Sequence, residues 1–152
     1  MDTIKLQSGI KRIAITDDDD HELGVIQLNP TDVLWLDRFY TSLSAFQTQQ
    51  DELERRYNAL DSVTETDDNG APVNLQDRVS LMKQACEDAF AEIDELFGAG
   101  TSAWAFRGIY DYAMIGQFLG GFIPYLESVR SEKVAQYAKP KKANGKRQVM
   151  KS

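Results

Sequence analysis

Two stretches of this chain place apolar residues at alternating steps of three and four, and that spacing leaves few options for the fold. Leu36, Phe39, Leu43, Phe46, Leu53, Tyr57 and Leu60 form the first stripe, broken once by Gln50 where a hydrophobe is expected. Leu75, Val79, Met82, Cys86, Ala89, Ile93 and Leu96 form the second. A period near 3.5 is one face of an α-helix, and that face must be buried against another like it. The polar stretch SVTETDDNGAPV, residues 62–73, joins the two stripes, so the pair predicts an antiparallel helical hairpin.

The flanking residues predict the helix ends. NPTD at 29–32 reads as a helix start, with Asn29 as N-cap, Pro30 at the first helical position and Asp32 in the first turn. Asn74 reads as the second N-cap, and Gly98 as the stop that takes a left-handed backbone without strain. In GAGTSAWAFRG, residues 98–108, Thr101 or Ser102 is the expected cap of a short helix carrying Trp104 and Phe106. A third long helix is predicted from about Ile109 to Ala138, with Ile115, Phe118, Leu119, Phe122, Leu126, Val129 and Val134 on its apolar side. Pro124 should kink it, and Gly116 with Gly120 should leave one face open to close approach by another backbone.

Upstream, KRIAIT (11–16) and GVIQL (24–28) are rich in β-branched residues and flank DDDDHEL, the signature of a hairpin over about 10–28. Two strands are marginal in water, so this piece should lean on the helices or pair with a strand of another chain. The expected architecture is mainly α. An N-terminal β-hairpin precedes an antiparallel helical hairpin and a long Pro-kinked helix, forming one domain over 1–138 with a disordered basic tail at 139–152.

Charge narrows the function. The tail KPKKANGKRQVMKS holds six Lys/Arg and no acid, which leaves the first 138 residues with 11 basic and 24 acidic side chains. A body of that sign repels phosphate backbones, so nucleic acid is an unlikely partner for it. One Cys and one His exclude an internal disulfide and a Cys/His zinc site. No run approaches the roughly 18 apolar residues of a membrane span, and the N-terminal residues lack a signal-peptide core, so a soluble, cytoplasmic protein is expected.

Two acidic segments imitate calcium loops. Counting from Asp17, Glu22 stands where the loop needs Gly and Leu28 where it needs a bidentate Glu. ETDDNGAPVNLQ, residues 65–76, places Glu65, Asp67 and Asn69 at alternate positions before Gly70. It then ends on Gln76 instead of a carboxylate, and Pro72 interrupts the pairing stretch. Both read as solvated turns. Neither a nucleophile–base pair nor a phosphate-cradling loop is recognisable, His21 lies in the acidic tip and Cys86 on a core stripe. No enzyme activity, cofactor or metal is expected. The aromatic set Trp104, Phe106, Tyr110, Tyr112, Phe118, Phe122 and Tyr125 lacks interleaved basic residues apart from Arg107, and reads as core or interface packing.

The segments EIDELFGAGTSAWAFRG (92–108) and MIGQFLGGFIPYLESVRSEKVAQYAK (114–139) resemble the C-terminal half of the tail assembly chaperones of long, non-contractile-tailed phages and prophages. The matching positions are Phe97, Gly98, Gly100, Thr101, Ser102, Phe106, Pro124 and Tyr125, about a third of the chain when their surroundings are included. The resemblance implies a protein that coats the tape measure protein before the tail tube polymerises and helps to recruit tail tube subunits. It also implies self-association into a homo-oligomer. Partner contact is then expected at Phe97, Gly98, Gly100, Thr101, Phe106, Phe118, Phe122, Pro124 and Tyr125.

The family further makes a longer product by a −1 ribosomal slip. If Pro140 is encoded CCA, then Lys141 and Lys142 are read from A-AAA-AAR, which permits the slip. Gly145-Lys146 is a poorer position, because Asn144 codons do not end in G. Lys141 and Lys142 are therefore the expected frameshift position, and the longer form a further partner. Two other readings of the sequence are a phage head–tail structural or nucleic-acid-binding protein acting through the basic tail, and a helical adaptor with no phage connection.

Overall fold

A computed structural model describes residues 1–126. Within them the chain is mostly helical, with an antiparallel hairpin of β1 (Lys11–Thr16) and β2 (Glu22–Leu28) followed by four helices. These are α1 (Val33–Asp61), α2 (Leu75–Phe97), α3 (Thr101–Phe106) and α4 (Tyr112–Gly120).

The hairpin pairs Lys11 with Leu28, Ile13 with Ile26 and Ile15 with Gly24, and a bulge falls between Ile15 and Thr16. Period-two alternation sends Ile26 and Leu28 into the core, each about 3% exposed. β2 is the strand that packs on α2 and α3. Gly24 is required there, because a Cβ on it would lie 2.7 Å from the Trp104 ring. At the tip, the Asp17 carboxylate accepts the backbone N–H groups of Asp19 and His21, both at 2.9 Å, and lies 3.9 Å from the Arg107 guanidinium. The bond from the His21 amide is the main cause that holds the Asp17 pKa below its ordinary value.

α1 starts three residues later than the NPTD reading predicts. Asp32 is its N-cap, accepting from Leu34 N–H at 3.0 Å and Trp35 N–H at 3.4 Å. Asn29 is occupied elsewhere: its Oδ1 takes the Thr31 N–H and its amide donates to Ser8 O. NPTD thus forms a separate turn, with Pro30 buried inside it.

The two heptad stripes meet as expected through most of their length. Leu36, Phe39, Phe46 and Leu53 of α1 and Cys86, Ala89, Ile93 and Leu96 of α2 are buried. The polar link is closed by Arg78, whose side chain is 12% exposed. Its guanidinium donates to Asp61 Oδ1 at 2.8 Å, Asn74 Oδ1 at 2.8 Å, Val63 O at 3.0 Å and Leu60 O at 3.2 Å. Asn74 makes no capping bond to α2, and its side-chain amide instead donates to Leu60 O at 2.8 Å. Together these groups satisfy carbonyls that the end of α1 leaves without helical partners. Between them, Asp67 organises a tight turn by accepting from Asn69 and Ala71 N–H, with Gly70 at φ +82°.

Gly98 ends α2, though in a mirror-extended conformation (φ 120°, ψ 148°) and not the left-handed helical one. Neither Thr101 nor Ser102 caps α3. Gly100 occupies the N-cap position with a left-handed backbone, and the missing acceptor comes from α2. Asp94 takes the Ser102 N–H at 2.7 Å and the Ser102 hydroxyl at 3.0 Å.

The third long helix is divided. Arg107 and Gly108 both have positive φ and reverse the chain, so α4 starts at Tyr112 under an Asp111 cap and not at Ile109. α4 stops at Gly120, and helical structure resumes over 123–126. The break therefore falls at Gly121-Phe122, and Pro124 lies in the first turn of the resumed segment, where a missing N–H costs little. A Cβ built on Gly116 would lie 3.9 Å from the Phe46 ring, and none of the described residues comes within 4 Å of one built on Gly120, so among the described residues neither glycine meets another backbone.

The core is aromatic. Phe97 contacts Phe39, Phe118 and Phe122 at ring separations of 6.4, 5.5 and 5.1 Å, and Phe118 also meets Phe106 at 5.4 Å. These edge and tilted contacts join both long helices, α3 and α4 to the segment that follows α4, and Ile26 and Leu28 of β2 pack in the same core cluster as Phe39 and Phe122. Each pair adds about 0.5–1.5 kcal/mol beyond simple burial.

Candidate protein-docking surface

The α1–α2 pair is longer than the layer that covers it. At 29 and 23 residues the helices span about 43 and 35 Å, whereas α4 has nine residues. α4 begins with Tyr112 stacked on Phe46, centroids 4.9 Å apart and planes 10° from parallel. On the far side of Tyr112 the α1–α2 seam opens into a groove of about 790 Å³.

Leu53, Ala59, Leu60, Leu81 and Ala85 give this groove its apolar lining, and Glu52, Arg55, Arg56, Asp77 and Asp88 its charges. Along α1 it runs from Thr48 to Leu60, about 18 Å or three helical turns. At its inner end the Tyr112 hydroxyl is buried without a hydrogen-bonding partner among the described residues. Burial raises the Tyr112 pKa and keeps the phenol neutral. An unmatched hydroxyl costs about 1–3 kcal/mol, a penalty that a partner's polar group entering the groove would relieve.

The opposite face carries a second depression of about 440 Å³ lined by Tyr57, Leu75, Val79, Met82 and Tyr110 with Arg78 and Lys83. Leu75 and Val79 belong to the second heptad stripe, yet are 47% and 52% exposed. They are the turns of that stripe for which the described chain supplies no cover.

Five of the nine residues expected to contact partners are packed within the described chain. Phe106 and Phe122 are 2% exposed, Thr101 is 4% exposed, and Phe97 and Phe118 are half-buried in the aromatic cluster. They build the body and do not present a surface. Gly98 and Gly100 form the exposed turn between α2 and α3, and Pro124 and Tyr125 lie exposed together after α4. Lys141 and Lys142 lie outside the described residues.

Arg78 and Asp94 are the positioning residues that sequence reasoning passed over, and Tyr112 was legible only as one member of the aromatic set. Arg78 was legible only as a polar residue early in a helix, and nothing nearby in sequence marks Asp94 as the cap of a helix seven residues downstream.

Asp17, Asp19 and His21 bring ligand-type atoms within 4.8 Å of one another. The Asp17 carboxylate is already engaged by two backbone amides, so the cluster reads as an ordered turn. Cys86 is buried, and desolvation raises its thiol pKa, as suits a packing residue better than a nucleophile.

Among the described residues, no helix is long and apolar enough to cross a membrane. Compared with protein-family models, curated proteins and solved structures, the chain matches none.

Proposed function

We propose that this chain is a tail assembly chaperone of the kind used by long, non-contractile-tailed phages, acting in the host cytoplasm. It holds a long helical tape measure protein in solution and helps to recruit tail tube subunits before the tube polymerises. It does so without catalysis, as a homo-oligomer and alongside a longer frameshifted form. The observation that supports this reading is the groove beyond Tyr112. α4 packs along one part of the α1–α2 seam, and the continuation of that seam has the dimensions and apolar lining to take an amphipathic helix of another protein. A tape measure protein is a long succession of such helices, and shielding their apolar faces is what would keep it dispersed.

A nucleic-acid-binding surface on the body has less support, since residues 1–126 hold nine Lys/Arg against 22 Asp/Glu, and that reading would rest on the basic tail alone.

Co-expression with a candidate tape measure protein tests the proposal. The wild-type chain should move the tape measure into the soluble fraction. Ala59→Glu and Leu81→Asp, which place charge in the groove at exposed and half-buried positions, should leave it in the pellet while the circular dichroism of the chaperone stays unchanged. A tape measure equally insoluble with and without this chain sinks the reading.

A further inference from the structure

Residues 1–7 extend from the body, with Ile4 89% and Leu6 87% exposed. Their alternation in Ile4-Lys5-Leu6-Gln7 is that of a strand with one apolar face, but within the described chain they pair with nothing. The arm is anchored at its base. The Asn29 side-chain amide donates to Ser8 O at 2.7 Å, and Gly9, at φ +72°, packs so close to Thr31 that a Cβ there would lie 2.6 Å from its hydroxyl.

The second unfinished element is the hairpin itself. β2 is covered by helices, whereas alternate residues of β1 direct N–H and C=O groups outward to an edge that no described backbone group bonds. The bulge after Ile15 limits a regular ladder on that edge to five residues, Lys11–Ile15. The anchor fixes Ser8 and Gly9 against Asn29 and Thr31, in the turn before α1, and within the described chain the arm does not pair with β1.

We propose that residues 2–6 of one copy add as a strand to the outer edge of β1 in a second copy, parallel to it. In this register Ile4 lies beside Ile13 and Leu6 beside Ile15, which extends the apolar face of the sheet. The same register sets Asp2 beside Lys11 and Lys5 beside Ala14. The antiparallel registers that keep the apolar face together are worse in charge, because one brings Asp2 to Asp17 and the other Lys5 to Arg12. The contact is between unlike surfaces, arm on edge, so reciprocal exchange closes a pair and successive exchange closes a ring.

The test uses the full chain without any client, so its result is separate from that of the co-expression experiment. Light scattering across a concentration series should give a mass at least twice the 17.1 kDa of one chain. Deleting residues 2–7, or combining Ile4→Asp with Leu6→Asp, should lower it to one chain with the helical spectrum intact. A wild-type chain that stays single throughout, or a deletion variant that keeps the wild-type mass, overturns the proposal. For the register, Thr3→Cys copies mixed with tagged Arg12→Cys copies should form a disulfide between the two species. Cross-linking of Thr3→Cys to Thr16→Cys in place of Arg12→Cys overturns the parallel alignment.

Discussion

Asp94→Ala should be among the most damaging changes on the surface of α2. The Asp94 carboxylate accepts the Ser102 N–H at 2.7 Å and the Ser102 hydroxyl at 3.0 Å, and Ser102 itself is 9% exposed. Losing an N-cap acceptor costs about 1 kcal/mol, and a hydrogen bond to a charged group contributes about 1.5–3 kcal/mol. Asp94 is only half-buried, so water recovers part of this, and a loss of about 2 kcal/mol is expected. Asp94→Asn should cost about 1 kcal/mol, because its amide oxygen still accepts the Ser102 N–H without the charge. Ser102→Ala removes only the hydroxyl bond, for about 1 kcal/mol. In a double-mutant cycle the two alanine changes should be coupled by about 1 kcal/mol, the share of the side-chain pair alone. Urea unfolding followed by far-ultraviolet circular dichroism measures the wild type and all four variants. If Asp94→Ala lies within about 0.5 kcal/mol of wild type, Asp94 is an ordinary surface charge and α3 is held by packing alone.

Two further outcomes follow from the hairpin. Gly24→Ala forces a Cβ against the Trp104 ring and should cost about 1–3 kcal/mol with a shift in tryptophan emission; unchanged stability and emission would mean that the strand does not seat there. Asp17 is less easily protonated folded than unfolded, so its stabilising contribution is complete above the ordinary carboxylate pKa and is lost as pH falls through the lowered value. The stability gap between wild type and Asp17→Asn should therefore shrink as pH falls below about 4, and a gap that stays constant down to pH 2 would refute the bonding at the tip.

Much of the architecture is legible in local patterns. The heptad stripes predicted α1 and α2 as a pair, and β-branched alternation predicted both strands, because each depends on a period that one element alone imposes. The errors lie where local signals compete. Asn29 and Asp32 are equally good caps, but the Asn29 Oδ1 is taken by the Thr31 N–H and hydroxyl, while its amide is held by Ser8 O from 21 residues away. Thr101 and Ser102 are good caps too, but Asp94 reaches α3 across the α2–α3 turn and supplies the acceptor instead. The predicted long third helix failed at Gly121-Phe122, where seating Phe122 against Phe97 and Phe118 outweighs continuing α4 as one rod.

The expected partner-contact residues show the same division. Phe97, Phe106, Phe118 and Phe122 are recognisable as a set, but an aromatic's position in a pattern does not say whether another chain or its own core covers it. Here the chain's own core does. The open surface consists of less conspicuous residues, Ala59, Leu81 and Ala85, made into a groove because α4 is shorter than the seam it enters.

By itself the sequence determined the two strands, the two long helices, their pairing and the acidic character of the body, since periodicity and charge are properties of the chain. Only the tertiary structure decided which apolar residues are used up in the core and which remain available. Burial is set by what other segments bring to a surface, and no periodicity in one segment records the length of its neighbours.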